Sequence, residues 1–266
     1  MKKSVLKLSC IFTLSVLAIG SAFFRHIPEP DLKEHKILLS MSSFKRPIFL
    51  VGQIARLLNQ TYKNHDISVS IKGSPNEAAY RNTFLREIEN YEKTGRVFIR
   101  FDKNRDQFYN FLDTVRNIDI EQYDIICKID DDDWYAPDYV YEVNKAFNQI
   151  PEEDREISST SYSHAYILTE DIDQTHLRKN NSNLTGPTLC FSKEIIKIAL
   201  QIEQDPTIIS KYVSGHSSGS FWRNEDALLD HLARANGPHI ERDSPYTTVI
   251  YGQQYRSVMR NNQYVR

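Results

Sequence analysis

Four consecutive carboxylates are the strongest chemical feature of the sequence. They occupy Asp130–Asp133 and follow Asp124–Ile129, an apolar run that is typical of a buried strand. Adjacent carboxylates repel each other when all of them are ionised, and a bound hard divalent cation commonly offsets this repulsion. Because alternate residues of an extended chain share a face, Asp130 and Asp132 are predicted to act together, while the other two aspartates point elsewhere and serve the turn. The predicted cofactor is Mn²⁺ or Mg²⁺.

Competing interpretations of this run are weaker. A solvated acidic turn that caps the helix after Pro137 remains an alternative, but the preceding apolar strand and the following Trp134 and Tyr135 favour a site. A calcium-binding loop requires a central glycine, and no glycine occurs between Asp130 and Pro151. The glycine-rich phosphate-binding patterns GxxxxGKS/T and GxGxxG are also missing.

Composition indicates one ordinary globular domain. The 266 residues are 40% hydrophobic and carry a net charge of −2, so no global field attracts nucleic acid, and none is expected as a partner. Three cysteines cannot build a disulfide framework. Cys127 and Cys190 lie in apolar strand-like runs, so we expect buried free thiols there.

Strand and helix patterns alternate through the first half of this domain. This alternation predicts an α/β fold with a mainly parallel sheet, in which ligands bind at the carboxyl ends of the strands. The aspartate run stands at such an end. Strands are predicted at Ile37–Met41, Ile67–Ile71, Val97–Phe101 and Asp124–Ile129, and helices after Pro47, over Asn76–Lys93, from Asp106 to about Asn117 and after Pro137.

The second half is less regular. A Gly/Ser-rich segment, Ser214–Ser220, is expected to form a mobile loop. Strand-like pieces occur at Ser161–Leu168, Pro187–Phe191 and Thr247–Tyr251, and helices are predicted over Lys193–Glu203 and Asn224–Asn236.

The N-terminus is separate from this domain. Residues 1–25 contain an uncharged stretch, Leu8–Phe24, and are predicted to be a single-pass signal-anchor or a cleaved signal peptide. Residues 26–35 form a linker, and the domain covers residues 36–266. Because the basic residues on the two sides of the stretch are nearly balanced, the side of the membrane is not determined.

Several segments of the sequence, taken in their order along the chain, resemble segments of family 2 glycosyltransferases of the GT-A fold. GT-A is a Rossmann-like fold of nucleotide-diphospho-sugar transferases. Ile37–Pro47, Leu57–Asn64 and Ile67–Ser74 resemble the opening of the family. Ile129–Tyr139 is similar to its DxD segment, and Trp222–Gly237 to the Glu-Asp helix that supplies the catalytic base. A weaker similarity connects the aspartate segment to a bacterial group of rhamnosyltransferases.

The resemblance implies a single GT-A domain that transfers a hexosyl or deoxyhexosyl group from a nucleotide-diphosphate sugar in polysaccharide or glycan biosynthesis. Asp130 would contact the nucleotide ribose or the metal, and Asp132 would bind the metal that bridges the diphosphate. Asp226, with Glu225 as second choice, would deprotonate the acceptor hydroxyl. One such base implies single displacement with inversion, and the acceptor is expected to be a glycan or a lipid-linked glycan.

Lys72 and Arg46, in the turns after the first two predicted strands, are further candidates for donor binding. Lys72 departs from the family, which has a nucleobase-binding Asp before the glycine that is Gly73 here, so the nucleobase stays open. His216 and His239 are candidates for a third metal ligand, although the sequence favours an ordinary packing or surface role for both.

Two other functions remain as alternatives. A catalytically inactive GT-A domain could serve as a membrane-tethered binding protein, which the missing nucleobase Asp favours. A nucleotidyltransferase on a related fold would require a glycine-rich basic loop near the first strand, and the sequence has none there.

Overall fold

The computed structural model describes residues 31–44, 46–74, 83–103, 105–162, 164–168, 176–179, 188–212, 225–242 and 250–252. The chain divides into two compact units, Met1–Leu32 and Lys33–Arg266. Among the described residues, no helix combines the length and the apolar character that crossing a bilayer requires. The predicted N-terminal segment Leu8–Phe24 lies outside these residues and stays a prediction.

Helices and strands alternate along the first half, as predicted. The described helices are α1 (Pro47–Leu58), α2 (Thr83–Glu92), α3 (Gln107–Val115), α4 (Tyr139–Asn148), α5 (Lys193–Gln204), α6 (Ile209–Tyr212) and α7 (Glu225–Asn236). The described strands are β1 (Ile37–Phe44), β2 (His65–Lys72), β3 (Val97–Asp102), β4 (Ile125–Asp130), β5 (Ser159–Tyr162), β6 (His164–Leu168), β7 (His176–Lys179), β8 (Cys190–Ser192), β9 (His239–Arg242) and β10 (Ile250–Gly252).

Seven strands form one sheet in the order β3-β2-β1-β4-β8-β5-β9, and a second sheet has the order β10-β6-β7. Strands β1 to β4 are mutually parallel in the larger sheet. Strand β8 runs antiparallel between β4 and β5, and β9 is parallel to β5. The predicted α/β class with a mainly parallel sheet is therefore confirmed.

The register of the parallel strands brings their carboxyl ends to one edge of the sheet, which we call the carboxyl edge. Ser42 of β1 stands opposite Asp130 of β4, and Phe44 of β1 stands opposite Lys72 of β2. Pro47 then begins α1, where its fixed φ and missing N–H suit the first turn of a helix. Residues that leave these strands therefore meet at this edge.

Two apolar cores hold the sheet between helices. On one face, the odd-numbered residues of β1, β2 and β4 pack against α1, α2 and α4. On the other face, Leu38 and Ile126 pack against α3, α5 and α7. Complete burial of each Leu or Ile side chain contributes about 1.5–3 kcal/mol, so these two layers fix the positions of the strand ends.

Short polar strands of the second half were not predicted. Strand β9, His239–Arg242, and strand β7, His176–Lys179, lack the apolar alternation by which strands are recognised. Strand β9 forms the edge of the large sheet, where Glu241 lies 3.6 Å from Arg234 of α7. An edge strand needs few apolar residues, so its sequence carries little strand signal. Its position depends on backbone hydrogen bonds to a neighbouring strand, and these cannot be predicted from the sequence.

Gly237 connects α7 to β9 through a close backbone approach. A Cβ at this position would lie 1.6 Å from the carbonyl oxygen of Ile157. We expect Gly237→Ala to destabilise the protein by about 3 kcal/mol, because a backbone carbonyl cannot move aside as a flexible side chain can. Urea denaturation measures the change. Gly52→Ala on α1 is the matched control, since no atom lies within 4 Å of the added Cβ and the helix should gain slightly. Equal stability of the two variants would contradict the close approach.

The prediction for the cysteines was half wrong. Cys127 and Cys190 are buried as expected, with no solvent exposure, but they form a disulfide instead of remaining free thiols. They stand directly opposite each other on β4 and β8, with a Cα–Cα distance of 4.0 Å. The sequence shows two cysteines 63 residues apart, and only the antiparallel pairing of these strands brings them together.

We expect reduction of this disulfide to lower the free energy of unfolding by about 2–4 kcal/mol, since it closes a long loop in the unfolded chain. The measurement is urea denaturation with and without dithiothreitol. The double variant Cys127→Ala/Cys190→Ala should no longer respond to the reductant, whereas Cys10→Ser should respond like the wild type. An unchanged wild-type midpoint in dithiothreitol would show that the bond does not contribute.

Candidate metal and donor site

The aspartate run begins at the carboxyl edge, where β4 ends. Asp130 is the last residue of β4, and the chain then turns so that Asp131–Asp133 leave the direction of the strand. Its backbone N–H donates to the hydroxyl of Tyr135, and the Tyr135 ring packs against Tyr139 at a centroid distance of 4.9 Å. Buried aromatic side chains therefore fix the path of the turn.

Three of the four aspartates converge. One carboxylate oxygen from each of Asp130, Asp132 and Asp133 lies within 4.8 Å of the other two. Asp130 and Asp132 were predicted to act together, and the structure brings them together. Asp133 was expected to point elsewhere, and this was wrong because the alternation of an extended strand stops at Asp130. Mg²⁺ and Mn²⁺ prefer oxygen ligands and commonly use one or two carboxylates plus phosphate oxygens, so these residues fit such an ion.

Asp131 points into the protein. Its side chain is fully buried, its Oδ2 accepts a 2.5 Å hydrogen bond from Ser43, and its Oδ1 lies 2.8 Å from Nη2 of Arg46. Burial raises the pKa of Asp131 to about 7. Arg46 and Ser43 oppose the rise, while the charges of Asp132 and Asp130 add to it. This carboxylate therefore supports the turn, as the sequence predicted.

Arg46 contacts the aspartate run from the segment between β1 and α1. It directly precedes α1, and its guanidinium spans two aspartates, with Nη1 2.6 Å from Oδ2 of Asp132. Burial acts to lower the pKa of Arg46, but Asp131 and Asp132 outweigh it and raise the pKa. The predicted donor-binding residue thus lies against a predicted metal ligand.

Lys128 lies in the site, although the sequence analysis assigned no role to its side chain. Its Nζ lies 2.8 Å from Oδ1 of Asp130, and its side chain is 7% exposed. The signal was present in the sequence, because a residue two positions before Asp130 in the same strand shares its face. Gln53 of α1 also donates a 3.3 Å hydrogen bond to the carbonyl of Asp130. The first ligand of the cluster is therefore fixed through both side chain and backbone.

The ammonium group of Lys72 is buried inside the protein. Its side chain is 1% exposed, and its Nζ lies 2.7 Å from Oδ2 of Asp113 on α3. Burial lowers the pKa of Lys72, and the Asp113 carboxylate opposes this shift. Asp113 also pairs with Arg105 and Arg116. The ammonium is therefore part of an ion-pair network beneath the end of β2, and its assignment to donor binding stays a prediction.

Helix α7 carries the predicted base. Glu225 and Asp226 are its first two residues, and their side chains lie outside the part of the chain that the structure describes. Because β9 runs in the same direction as β4 and directly follows α7, this helix must begin near the carboxyl edge. The two residues thus start on the correct side of the sheet for the predicted role, which stays a prediction.

His239 does not complete the metal cluster. It begins β9 at the edge of the sheet opposite Asp130, and its two ring nitrogens lie 2.8 Å and 3.0 Å from the hydroxyls of Ser159 and Ser161. Burial lowers its pKa to about 4. The suggestion that His239 supplies a third ligand was therefore wrong, and Asp133 is better placed. His216 lies outside the described residues.

Trp134 provides an exposed aromatic surface beside the run. Its side chain is 37% exposed and borders a cavity of about 250 Å³ that Arg56, Asn59 and Pro137 also line. An indole face combined with guanidinium and amide groups can stack on a sugar ring and bind its hydroxyls.

Comparison with known proteins identifies the fold. No protein-family model matches the chain, and no curated protein sequence matches it. Its structure is similar to a mannosyltransferase, PcManGT from Pyrobaculum calidifontis in complex with GDP-Man and Mn²⁺, with a TM-score of 0.52 and 11% identity over 96% of this chain and 71% of that one. It is also similar to residues 1–349 of TarS from S. aureus in complex with UDP, with a TM-score of 0.53 and 12% identity over 85% of this chain and 63% of that one. The chain thus spans less than two thirds of that TarS fragment. At such low identities the likeness shows the fold alone, and this protein has the GT-A fold that its sequence predicted.

Proposed function

We propose that this protein is a metal-dependent glycosyltransferase that moves a sugar from a nucleoside-diphosphate donor to an acceptor hydroxyl with inversion. The observation that carries the proposal is the convergence of Asp130, Asp132 and Asp133 within 4.8 Å at the carboxyl edge of a GT-A sheet. Ligands of open α/β sheets bind at this edge, and a diphosphate requires a divalent counter-charge there.

We assign different roles to the acidic residues of the cluster. Asp132 and Asp130 would hold Mn²⁺ or Mg²⁺, with Asp133 as a further ligand. When bound, the cation supplies the charge that stabilises the departing diphosphate. Lys128 restrains the Asp130 carboxylate, and Asp131 anchors the turn through Ser43. The Mn²⁺ in the mannosyltransferase complex supports manganese as the first ion to test.

The base is assigned to α7. Asp226 would accept the proton of the acceptor hydroxyl as it attacks the anomeric carbon, with Glu225 as second choice. A single base opposite the leaving group supports one displacement with inversion. The start of α7 near the carboxyl edge is consistent with this role.

The donor is proposed as a hexosyl or deoxyhexosyl nucleotide sugar. The mannosyltransferase is in complex with GDP-Man and the TarS fragment with UDP, so the two similar structures hold different nucleobases. Lys72 stands where the family has a nucleobase-binding Asp, and its ammonium lies 2.7 Å from Asp113. Both nucleobases therefore belong in any test of the donor.

We further infer that the chain associates with a membrane through Leu8–Phe24 and acts on a glycan or lipid-linked acceptor, for which Trp134 offers a stacking surface. The Cys127–Cys190 disulfide favours a domain on the oxidising side of that membrane. Cell fractionation after alkylation of free thiols tests both points. A soluble chain would contradict the anchor, and labelled Cys127 or Cys190 would contradict the oxidising side.

The proposed function is tested with the purified full chain, Mn²⁺ and a panel of nucleoside diphosphates, including UDP, GDP and dTDP. A nucleotide present at 100 times its Kd stabilises the folded state by about 2.7 kcal/mol, which raises Tm by roughly 5–10 °C. The rise should require both metal and nucleotide, and the matching nucleotide sugar should then be hydrolysed or transferred. No response to any nucleotide would overturn the proposal.

A catalytically inactive GT-A binding protein is the second candidate, because the ammonium of Lys72 is buried against Asp113 and the usual nucleobase carboxylate is missing. This candidate also expects nucleotide binding, but no turnover with any donor. Turnover therefore separates the two candidates.

A further inference from the structure

We propose that Arg46 is an exchangeable counterion of the cation site: it holds Asp132 in the metal-free protein and transfers that contact to the donor diphosphate when the cation binds. The inference rests on the proposed function and deepens it, because it makes metal and donor binding cooperative. It follows from the unequal surroundings of the two carboxylates that Arg46 contacts.

One of these contacts is permanent. Asp131 is fully buried, and its other oxygen accepts the hydrogen bond from Ser43, so this carboxylate cannot reach solvent or a ligand. Arg46 itself is restrained, since Pro47 follows it and begins α1. The Nη2 end of the guanidinium therefore stays on Asp131 whatever happens in front of it.

The other contact is open to exchange. Asp132 is 16% exposed and belongs to the carboxylate cluster, so its oxygens are needed by the cation. Nη1 of Arg46 lies 2.6 Å from Oδ2 of Asp132, so a cation that binds this carboxylate competes with the guanidinium for it. The Arg46 side chain is 19% exposed and its Nη1 and Nε atoms are buried, so the exchange requires this end of the guanidinium to turn toward the ligand.

Charge repulsion gives the direction of the exchange. Arg46 lies against Asp131 and Asp132, and Lys128 lies within ion-pair distance of Asp130. A cation on Asp132 would repel the Nη1 end, because like charges at such distances interact strongly in a partly buried site. The released N–H groups would then be able to donate to a phosphate oxygen of the donor, a group that guanidinium binds well.

Two binding measurements on the variant Arg46→Gln test the exchange, and the affinities for Mn²⁺ and for nucleotide should change in opposite directions. Mn²⁺ binding without nucleotide, measured by electron paramagnetic resonance of the free ion, should tighten about threefold to fivefold, since a competing partly buried ion pair is removed. Binding of UDP or GDP at saturating Mn²⁺, measured by calorimetry, should weaken about tenfold or more, because a charge-assisted contact is lost. Arg46→Lys, which keeps the charge without the planar fork, should give intermediate values.

A matched control shows whether these changes are specific to Arg46. Arg155→Gln removes the same charge at the opposite edge of the sheet, where the guanidinium bonds only backbone carbonyls of Ile150 and Asn148 among its described contacts, and should change neither affinity. If Arg46→Gln fails to fold, Arg46→Gln/Asp131→Asn removes the buried charge as well and carries the same expectation. Weaker or unchanged Mn²⁺ binding in the folded variants would overturn the exchange. If no nucleotide binds the wild type, the proposed function fails, whereas the Mn²⁺ measurement still decides whether Arg46 competes for Asp132.

Discussion

Asp132→Asn is expected to abolish metal-dependent nucleotide binding and sugar transfer. Asp132 belongs to the carboxylate cluster and also contacts Arg46, the predicted donor-binding residue, so its loss should affect both metal and donor. Loss of groups that merely support metal ligands costs about 10–100-fold in metal affinity or activity, so loss of a ligand itself should exceed about 100-fold. Calorimetric titration with Mn²⁺ and UDP or GDP measures binding, and release of nucleoside diphosphate measures turnover.

Two further variants make this result specific. Asp154→Asn removes an exposed carboxylate from the turn Glu152–Asp154, far along the chain from the cluster, and should leave both measurements unchanged. Asp133→Asn should give a smaller loss than Asp132→Asn, because its side chain is nearly buried and reaches a ligand less easily. A normal metal response of Asp132→Asn would remove the basis of the proposed function.

The first half of the fold could be predicted because its local patterns agree with its topology. Strands β1 to β4 are apolar runs separated by amphipathic helices, and consecutive parallel strands admit few arrangements. The end of β4 therefore had to lie at the carboxyl edge. Strands β8, β5 and β9 contain three or four residues each, and their order reverses direction twice. Local patterns do not encode such pairings, and the Cys127–Cys190 disulfide was missed for the same reason.

The candidate site was predictable in its composition and not in its contacts. Asp130 and Asp132 follow from an acidic run after an apolar strand. The convergence of Asp133 depends on the turn after Asp130, which Tyr135 fixes from five residues away. The position of Arg46 on Asp131 and Asp132 depends on the adjacency of β1 and β4, whose residues are separated by more than eighty positions. Contacts of this kind arise from packing between elements.

Asp226→Asn is expected to lower turnover by about 10²–10⁴-fold while nucleotide and metal binding stay close to wild type. A general base contributes a factor of this size because it acts on the proton that is transferred in the transition state, and not on the ground-state complex. Single-turnover transfer measures the loss, and calorimetry with Mn²⁺ and nucleotide measures the retained affinity. Glu225→Gln should lose less, since it is the second choice for the base.

Asp230→Asn on the same helix is the control that separates catalysis from the integrity of α7. Its carboxylate pairs with Arg234 at 2.8 Å, so the substitution should lower stability and leave turnover of the folded protein nearly unchanged. If Asp226→Asn and Asp230→Asn reduce turnover equally, α7 has a structural role and the base lies elsewhere. If the wild type binds nucleotide but neither it nor any variant turns over a donor, the protein is better described as an inactive GT-A binding protein. Retained binding with a selective loss of turnover in Asp226→Asn would instead connect the carboxylate cluster of β4 with α7 in one active site.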